Sequence, residues 1–365
     1  MRIILSGGGT GGHIYPAISI ANKIKEKHKD AEILFIGTER GMESNIIPGE
    51  GYPMKFITVN YLERKFSLHN IKSVAVLFKG ILGARKIIKD FRPDIVIGTG
   101  GFVCGPVVYA ASKLKIKTII HEQNVFPGLT NRILDRYVDR IALSFKEAKR
   151  YFKNKDKLVV TGNPIRSDFF SVTEEEAKAR YNTNPNIPLV LVMGGSGGAL
   201  KINNAVAYIL NKYNPQKFKL LLVTGRRLYE QTVGSVEKRN LAGNHGIVPY
   251  IDDMPHALRA SDLIVCSAGA ITIAEITAVG KPAILIPKAH TSEDHQQYNA
   301  NAMENKGAAL VINENELNGE ILNKKIEGIL GNKKILKSMA TASKEGAITD
   351  AADRIYNEIE QLLGL

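Results

Sequence analysis

Apolar residues are arranged along the chain in short unbroken runs rather than in alternation with polar residues. Most runs are rich in Ile, Val and Leu, and an amphipathic stretch of helical length follows each of them. Unbroken β-branched runs are typical of parallel strands that are buried on both faces and joined by crossover helices. The pattern predicts an α/β protein with strands at residues 2–6, 32–36, 54–59, 94–98, 118–121, 140–144, 158–161, 189–193, 219–224, 246–248, 262–266, 283–286 and 308–312.

The order of these elements predicts two domains. A chain of 365 residues is long enough for two separate cores at roughly 150 residues per domain. Residues 162–188 interrupt the strand pattern with turn-forming and charged segments, and the second half then restarts with a strand that ends in glycines. We expect two Rossmann-like, doubly wound parallel-sheet domains at residues 1–163 and 164–348, with a cleft between them. A helix at 350–363, within the final segment 349–365, is expected to cross back to the first domain.

The net charge of the chain limits the kinds of ligand that the protein is expected to bind. Lys and Arg total 49 against 36 Asp and Glu, and the resulting +13 favours nucleic acid, phosphorylated metabolites or anionic lipid, with simple solubility as the alternative. Proteins that bind single-stranded nucleic acid usually interleave aromatic and basic residues. This chain has no Trp and only 7% aromatic residues, so no nucleic-acid partner is expected.

Neither a membrane span nor a metal site is predicted. One long uncharged stretch, residues 95–112, is broken by glycines and a proline, which predicts a strand, a turn and a helix start rather than a membrane span. The two cysteines, Cys104 and Cys266, are far apart and lack metal-type spacing.

Three glycine-rich segments follow predicted strands: loop one (residues 7–12), loop two (98–105) and loop three (194–199). Backbone N–H groups and the helix dipole at such a turn suit a phosphate group. Loop one has the G-x-G-x-x-G spacing of a dinucleotide site, but the only acid near the end of the second strand is Glu39, beyond a Gly-Thr turn, which disfavours NAD or FAD. Together the loops predict two phosphorylated ligands in one cleft. The alternative is that the glycines only permit close packing of helix on strand.

Other polar side chains stand at further predicted strand ends, where open α/β sheets bind their ligands. Amide side chains suit sugar hydroxyl groups, and a carboxylate such as Glu275 suits the hydroxyls of ribose. Helix capping or solvation is the alternative for each residue. For Asp252 and Asp253 capping is preferred over a metal pair, because a helix is predicted to begin there. The set comprises His121, Glu122, Gln123, Asn124, Arg166, Glu275, Gln296 and Gln297.

With these residues in place, the chain resembles the MurG family of N-acetylglucosaminyltransferases over essentially its whole length. The resemblance rests on GGTGGHIYPA, GTGGFVCGPVV, HEQNVFPGLTN, TGNPIR, GGSGGA, AGAITIAE and EDHQQYNA, in the family's order and spacing. It implies the GT-B architecture and an inverting transfer of N-acetylglucosamine from UDP-N-acetylglucosamine to the 4-hydroxyl of N-acetylmuramyl-peptide on undecaprenyl diphosphate. This reaction serves peptidoglycan synthesis, cell shape and division, and no cofactor is expected.

The family's site residues carry over by motif, with the amino-terminal domain facing the acceptor and the carboxy-terminal domain holding the nucleotide sugar. Two departures, Gly197 and Ser267, remove cation contacts that relatives often have, so charge compensation at the diphosphate depends on Arg166 and backbone N–H groups. Which of the two glutamines contacts the sugar is left open. The residues are Thr10, Gly11 and Gly12 bordering both ligands, Gly100 and Gly101 in the acceptor loop, Asn124, Gln296 and Gln297 at the N-acetylglucosamine, Arg166 and Ser196 at the diphosphate, Ile251 at uracil, and Ala270, Ile271, Thr272, Ile273, Ala274 and Glu275 along the nucleotide, with Glu275 on the ribose.

Such a reaction requires a base for the acceptor hydroxyl and stabilisation of the leaving diphosphate. His13 directly follows loop one, and the pKa of histidine suits proton transfer near neutral pH, so His13 is the expected base. The alternatives are that His13 orients the loop or donates to an acceptor phosphate, or that Glu122 is the base. The chain contains no Asp-x-Asp motif that would demand a metal, and helix N-termini with Arg166 are expected to stabilise the leaving group.

The implied acceptor is anchored in a membrane, so the amino-terminal domain is expected to contact anionic lipid as a peripheral protein on the cytoplasmic face of the bacterial plasma membrane. Residues 61–92 hold eight Lys or Arg against two acids, with apolar residues at helical spacing. Each basic residue near such a surface contributes about 1 kcal/mol. Core packing is the alternative for Ile71, Val74 and Ile88. The expected lipid-facing residues are Leu77, Phe78, Lys79 and Leu82.

Two rival functions are kept. One is another GT-B enzyme, such as a glycolipid glycosyltransferase or a UDP-N-acetylglucosamine epimerase, which would share the nucleotide pocket but not the acceptor loops. The other is a catalytically silent nucleotide-sugar sensor that recruits partners at the membrane.

Overall fold

The structure, a computed structural model, describes residues 1–59, 68–195, 197–213, 217–241, 246–289 and 292–365. The side chains of residues 68–75, 239, 241 and 292 are outside this description as well. Contacts divide the chain into two compact units. Unit 1 comprises Met1–Arg166 and Thr349–Leu365, and unit 2 comprises Ser167–Ile348.

Within the described ranges, unit 1 is built on a parallel sheet of seven strands. They are β1 (Arg2–Gly7), β2 (Glu32–Gly37), β3 (Met54–Phe56), β4 (Ile95–Gly100), β5 (Lys117–Glu122), β6 (Arg140–Leu143) and β7 (Leu158–Val160). Their order across the sheet is β3-β2-β1-β4-β5-β6-β7, with the reversal between β1 and β4. The helices are α1 (Gly11–Lys27), α2 (Glu43–Gly49), α3 (Leu68–Phe91), α4 (Cys104–Lys113), α5 (Leu129–Leu134) and the carboxy-terminal α16 (Ala351–Leu363), with 3-10 turns at Lys146–Tyr151 and Lys155–Lys157.

The described part of unit 2 holds a second parallel sheet, of six strands. They are β8 (Leu189–Met193), β9 (Lys219–Val223), β10 (Gly246–Val248), β11 (Leu263–Cys266), β12 (Ala283–Leu285) and β13 (Ala309–Val311), in the order β10-β9-β8-β11-β12-β13. The helices are α6 (Asp168–Ser171), α7 (Glu174–Arg180), α8 (Leu200–Lys212), α9 (Tyr229–Gly234), α10 (Lys238–Leu241), α11 (Met254–Ala260), α12 (Ala270–Val279), α13 (His295–Asn305), α14 (Gly319–Leu330) and α15 (Lys333–Glu345), with 3-10 turns at Arg226–Leu228 and Ser292–Asp294.

The unbroken apolar runs have a direct explanation in the packing of each strand. In β1, Ile3 and Leu5 belong to the core on the α1 face of the sheet, whereas Ile4 belongs to the core on the opposite face. Both faces of the strand are therefore buried, and every position must be apolar. The predicted α/β class, with two Rossmann-like parallel sheets, is confirmed, and all thirteen predicted strands occur.

The carboxy-terminal helix α16 packs against α1 in unit 1. Ile355 and Ile359 of α16 are fully buried in the same core as Ile14 of α1. Glu358 adds an ion pair with Arg140, at 3.0 Å between carboxylate oxygen and guanidinium nitrogen. The final segment of the chain thus completes the amino-terminal unit. Among the described residues, no helix combines the length and apolarity needed to cross a bilayer.

Candidate active site

Loop one and loop two lie side by side in unit 1 because β1 and β4 are neighbours in the sheet. The Gly8 N–H donates to the Gly100 carbonyl oxygen at 3.4 Å. Gly101 has a φ of +81°, and a Cβ on it would lie only 2.3 Å from the Gly8 carbonyl oxygen. A side chain at residue 101 would therefore push the two loops apart, and only glycine permits the contact.

His13, the expected base, is the third residue of α1 and stands against loop two. Its Nδ1 lies 3.1 Å from the Thr99 carbonyl oxygen. A carbonyl oxygen only accepts hydrogen bonds, so Nδ1 carries the proton and the lone pair of the neutral imidazole is on Nε2. A Cβ on Gly100 would lie 2.6 Å from this Nδ1, so glycine there lets the ring approach the strand end. The ring is held in the tautomer that a base acting through Nε2 requires.

A buried network continues from the same carbonyl group. Gln123 Nε2 donates to the Thr99 carbonyl oxygen at 2.6 Å and to His121 Nδ1 at 3.0 Å. His121 Nε2 in turn donates to the Gly162 carbonyl oxygen at 3.0 Å. Burial lowers the pKa of His121 to about 4, so this imidazole is neutral near pH 7. Gln123, itself fixed by His121, therefore holds the Thr99 carbonyl group that orients His13.

Glu122, the rival base, is committed to the shape of its own loop. Its Oε1 accepts the N–H and the side-chain amide of Asn124 at 2.9 and 3.2 Å. Its Oε2 accepts the Gly128 N–H at 3.1 Å and the Asn131 side-chain amide at 2.8 Å. Burial raises the pKa of Glu122, and these four donors act against that rise. The arrangement indicates a positioning role that fixes the half-buried Asn124 at the end of β5.

Glu43 was missed by the sequence reasoning, and it lies directly behind loop one. Its fully buried carboxylate projects from the start of α2. Oε2 accepts the Gly9 N–H at 2.9 Å, and Oε1 accepts the Thr38 N–H at 3.1 Å and the Thr38 hydroxyl at 2.7 Å. Burial acts to raise the pKa of Glu43, but these hydrogen bonds outweigh it, and the pKa lies below its usual value. Loop one is therefore backed by a negative charge.

Loop three joins β8 to α8 in unit 2, and three other strand ends contact it. Gly198 has a φ of +74°, and a Cβ there would lie 2.1 Å from the carbonyl oxygen of Thr224, which follows β9. Ser267, after β11, donates its hydroxyl to the Gly194 carbonyl oxygen at 3.4 Å. Lys288, after β12, donates its ammonium to the Gly198 carbonyl oxygen at 2.8 Å. The loop is thus braced from both sides of β8.

Two helices of unit 2 begin at this edge of the sheet without a capping side chain. Ala199 precedes α8 and Gly269 precedes α12, and neither residue carries a side-chain acceptor for the first-turn N–H groups. Such helix starts stabilise an anion through their N–H groups and dipole. In the predicted nucleotide segment, Ala270 and Ile273 are buried, and Ile271, Thr272, Ala274 and Glu275 are half-buried.

Gln296 and Gln297 point in different directions. Gln296 Oε1 accepts the Lys288 N–H at 3.0 Å, which turns its side chain toward the strand-end segment that contacts loop three. Gln297 Nε2 donates to Asn301 Oδ1 at 2.9 Å, one turn further along α13. Of the two glutamines, Gln296 is therefore the one whose side chain turns toward loop three.

The other predicted ligand residues take several positions. Thr10 is exposed, and Gly11 and Gly12 are half-buried at the start of α1. Arg166 is exposed at the end of the first segment of unit 1. Ile251 is half-buried between β10 and α11, and Ser196 lies outside the described residues.

The capping role expected for Asp252 and Asp253 is wrong. Asp253 precedes α11, but its carboxylate accepts no hydrogen bond from the helix backbone, and Asp252 is exposed. Instead, Asp253 Oδ1 lies 2.7 Å from His256 Nδ1, and Oδ2 lies 2.8 Å from Arg180 Nε. The side chain therefore links α11 to α7. In the described part of the chain, no group of three or more His, Cys, Asp or Glu side chains is placed to hold a metal ion.

Comparison with known proteins decides the family. Residues 3–143 match the model of the glycosyltransferase family 28 N-terminal domain, and residues 189–355 match that of its C-terminal domain. A relative from Alkaliphilus oremlandii, named UDP-N-acetylglucosamine--N-acetylmuramyl-(pentapeptide) pyrophosphoryl-undecaprenol N-acetylglucosamine transferase, is 72% identical and covers 100% of this chain and 99% of its own. The crystal structure of Acinetobacter baumannii MurG is similar with a TM-score of 0.78 at 25% identity, over 99% of each chain. The chain belongs to the MurG family.

The GT-B fold of the MurG family is shared more widely. The structure of UDP-GlcNAc 2-epimerase from Neisseria meningitidis bound to UDP-GlcNAc gives a TM-score of 0.68 at 14% identity, and it covers 99% of this chain and 100% of its own. At this identity the likeness concerns the fold alone.

The expected lipid-facing residues of this MurG-family chain lie on α3. Phe78 and Leu82, four residues apart, are 63% and 64% exposed. Lys79 is exposed beside them, and Leu77 is half-buried. Large apolar side chains with this exposure, flanked by basic residues, form a surface suited to anionic lipid.

The opposite face of α3 packs into the core. Gly80, Ala84 and Ile88, at four-residue spacing, are buried. Core packing, kept as the alternative for Ile88, is therefore confirmed for that residue. Ile71 and Val74 lie outside the described side chains, as do all residues from 60 to 67.

Sequence reasoning missed Lys288 as well as Glu43 in this MurG-family chain. Glu43 lies six residues beyond the end of β2, whereas the spacing of a dinucleotide site points to the exposed Glu39. Lys288 is a lone cation in the segment that follows β12. The sequence offered one indication of either residue, its position. Both Glu43 and Lys288 follow strands at the edge where open sheets bind ligands.

Proposed function

We propose that this chain is an inverting glycosyltransferase that moves N-acetylglucosamine from UDP-N-acetylglucosamine to the 4-hydroxyl of N-acetylmuramyl-peptide on undecaprenyl diphosphate. The observation that carries the proposal is full-length similarity, at 72% identity, to a relative named for this transfer. The oriented imidazole of His13 beside two glycine loops supports an acceptor site in unit 1. Loop three and two uncapped helix starts support a nucleotide site in unit 2.

The reaction is a single in-line displacement. The acceptor 4-hydroxyl oxygen forms a bond to the anomeric carbon while the bond from that carbon to the diphosphate oxygen breaks. The electron pair of the broken bond leaves with UDP, and the hydroxyl proton passes to the Nε2 of His13. This ring is prepared for the transfer because its Nδ1 proton is already donated to Thr99.

The donor nucleotide is assigned to unit 2 and to residues at its boundary. Backbone N–H groups at the starts of α8 and α12, together with Arg166 and Ser196, stabilise the diphosphate. Glu275 accepts hydrogen bonds from ribose hydroxyl groups, and Ile251 contacts uracil. Asn124, Gln296 and Gln297 recognise the N-acetylglucosamine, with Gln296 favoured by its direction.

The acceptor requires contact with a membrane, and the exposed face of α3 is the proposed contact. Phe78 and Leu82 insert among the lipids, while Lys79 meets anionic headgroups. The protein is peripheral on the cytoplasmic face. Exchange of Phe78 and Leu82 for Ser is expected to release the protein from vesicles of anionic lipid in a sedimentation assay, and retained binding of the folded variant would overturn the assignment.

The deciding experiment measures UDP release from UDP-N-acetylglucosamine in EDTA, with and without a short-chain analogue of the lipid-linked acceptor. We expect release only when the acceptor is present. Acceptor-independent conversion would instead identify an epimerase, and binding without turnover would identify a sensor. Activity that returned only on addition of magnesium would disprove the view that backbone donors and Arg166 suffice for the leaving group.

A further inference from the structure

Lys288 occupies an unusual position between two predicted ligand-binding elements of unit 2. Its ammonium donates to the Gly198 carbonyl oxygen of loop three at 2.8 Å, and its backbone N–H donates to Gln296 Oε1 at 3.0 Å. One residue therefore fixes the predicted diphosphate loop relative to the predicted sugar contact. Its side chain is half-buried along this path.

Lys288 lies in the field of the Glu314 carboxylate but is not ion-paired with it. Among the described residues it forms no ion pair, and the Gly198 carbonyl is the partner of its ammonium. Burial lowers the pKa of Lys288, and the field of Glu314 acts to raise it. The Glu314 carboxylate is itself engaged, because Oε2 accepts the Ala289 N–H at 2.9 Å and Lys201 Nζ lies 3.9 Å from the same oxygen. A half-buried cation without an acidic partner is suited to an anionic ligand.

Other features of loop three leave room for such a cation. Gly197 has no side chain, and Ser267 reaches the loop only through its hydroxyl. Arg227 approaches from the end of β9, but it is exposed, and its Nη2 lies 4.0 Å from where a Cβ on Gly197 would be. Among the described residues, Lys288 is the cation that a direct hydrogen bond joins to the loop. One of its three N–H groups is used by Gly198, so two remain for phosphate oxygens.

We propose that Lys288 is a diphosphate-binding residue: its ammonium, held at loop three by the Gly198 carbonyl, contacts a diphosphate oxygen of the donor nucleotide. When the bond between the anomeric carbon and the diphosphate oxygen breaks, the electron pair stays on that oxygen, and Lys288 stabilises the added charge. This inference rests on the proposed function, which supplies the nucleotide. The inference adds Lys288 to the groups already proposed to stabilise the diphosphate, namely backbone N–H groups and Arg166.

The test compares UDP with uridine, because the two ligands differ only in the diphosphate. Calorimetry on the full-length protein is expected to show that Lys288→Met weakens UDP binding by about 10- to 100-fold, the loss of one charge-assisted hydrogen bond, and leaves uridine binding unchanged. Lys288→Arg is expected to keep most of the UDP affinity. Lys201→Met is the matched control, since it removes the same charge from a nearby exposed lysine that faces Glu314.

The outcomes separate the inference from the function on which it rests. If the affinities for UDP and for uridine fall by the same factor in Lys288→Met, the lysine only holds loop three in place, and the inference is wrong. Unchanged UDP binding in this variant would also overturn it. A wild-type protein that binds UDP no better than uridine would instead reject the nucleotide site of the proposed function. Turnover gives a second readout, because loss of a leaving-group contact lowers kcat as well as donor affinity.

Discussion

Loop one and loop three are both glycine turns between a buried parallel strand and a helix, but opposite charges stand behind them. In unit 1, the carboxylate of Glu43 accepts the Gly9 N–H of loop one. In unit 2, the ammonium of Lys288 donates to the Gly198 carbonyl of loop three. The Glu43 contact occupies a backbone N–H donor of loop one and places a negative charge beside it. The Lys288 contact occupies a backbone carbonyl acceptor of loop three and places a positive charge beside it. Of these two loops, loop three has the electrostatic environment that better favours the diphosphate of the donor nucleotide.

This difference shows that a glycine-rich pattern indicates where backbone segments approach other groups closely. It does not identify the ligand that binds there. In loop one and loop two, the missing side chains admit the His13 ring and let the two loops touch. In loop three, they let the turn pack against the Thr224 carbonyl. The ligand is selected by side chains from other strand ends. Our proposal accordingly places proton transfer in unit 1, and stabilisation of the donor diphosphate in unit 2 together with Arg166 at the boundary between the two units in sequence.

Removal of the imidazole should have the largest effect and would sharpen this division. We expect His13→Ala to lower kcat by roughly 10²- to 10⁴-fold, the usual contribution of a general base, while the donor KM stays within about threefold. Steady-state kinetics of UDP release measures both constants. His28→Ala is the control, because His28 ends the same helix and contacts Tyr356 instead. Loss of donor affinity alone would contradict the base role.

The fold was predictable because burial on both faces dictates the composition of each strand. The apolar run from Leu189 to Met193 matches β8 residue for residue. Glycine-rich ends were less predictable: β4 continues to Gly100 rather than stopping at Gly98, because Gly7 pairs with Gly100 after a shift of register. Pairing between strands, which a linear pattern does not contain, set that boundary.

The site was less predictable than the fold, since its contacts join residues far apart in sequence. His13 stood out by its place after loop one, but its tautomer depends on a carbonyl group 86 residues away. The contact between Glu43 and Gly9 spans 34 residues, and that between Lys288 and Gly198 spans 90. Asp253 had the sequence position of a helix cap, yet Arg180 and His256 compete for its carboxylate. Local patterns identify candidates, and tertiary partners decide their roles.

A methyl group in loop three should have the next largest effect. Gly198→Ala would require a left-handed Ala and would place its Cβ 2.1 Å from the Thr224 carbonyl oxygen. The two costs together are expected to reduce the free energy of unfolding by about 3 kcal/mol or more, and to abolish UDP binding. Gly195→Ala is the matched control, with φ at +79° but no heavy atom of the described residues within 4 Å of the new Cβ, and should cost only about 1 kcal/mol. Urea denaturation that ranked the two variants equally would refute the steric account.

Glu43→Gln should have the smallest of these effects and tests the other side of the comparison. An amide in place of the carboxylate loses charge-assisted hydrogen bonds from Gly9 and Thr38, and we expect stability at pH 7 to fall by about 2 kcal/mol. UDP affinity should be unchanged, because the carboxylate serves loop one and not loop three. Glu39→Gln, an exposed change in the same segment, is the control.

The pH dependence of stability in Glu43→Gln shows whether Glu43 stabilises loop one through its charge or through its packing alone. Because the pKa of Glu43 is lower in the folded protein than its ordinary 4.5, its stabilising contribution is complete above that pH and is lost as the pH falls through the folded value. The stability gap between wild type and Glu43→Gln, measured by urea denaturation, should therefore close below pH 4.5. Protonation of His121, whose pKa is lowered by burial to about 4, destabilises both proteins alike and cancels in the difference. A gap that stayed constant to low pH would show that Glu43 holds loop one through its shape and not through its charge.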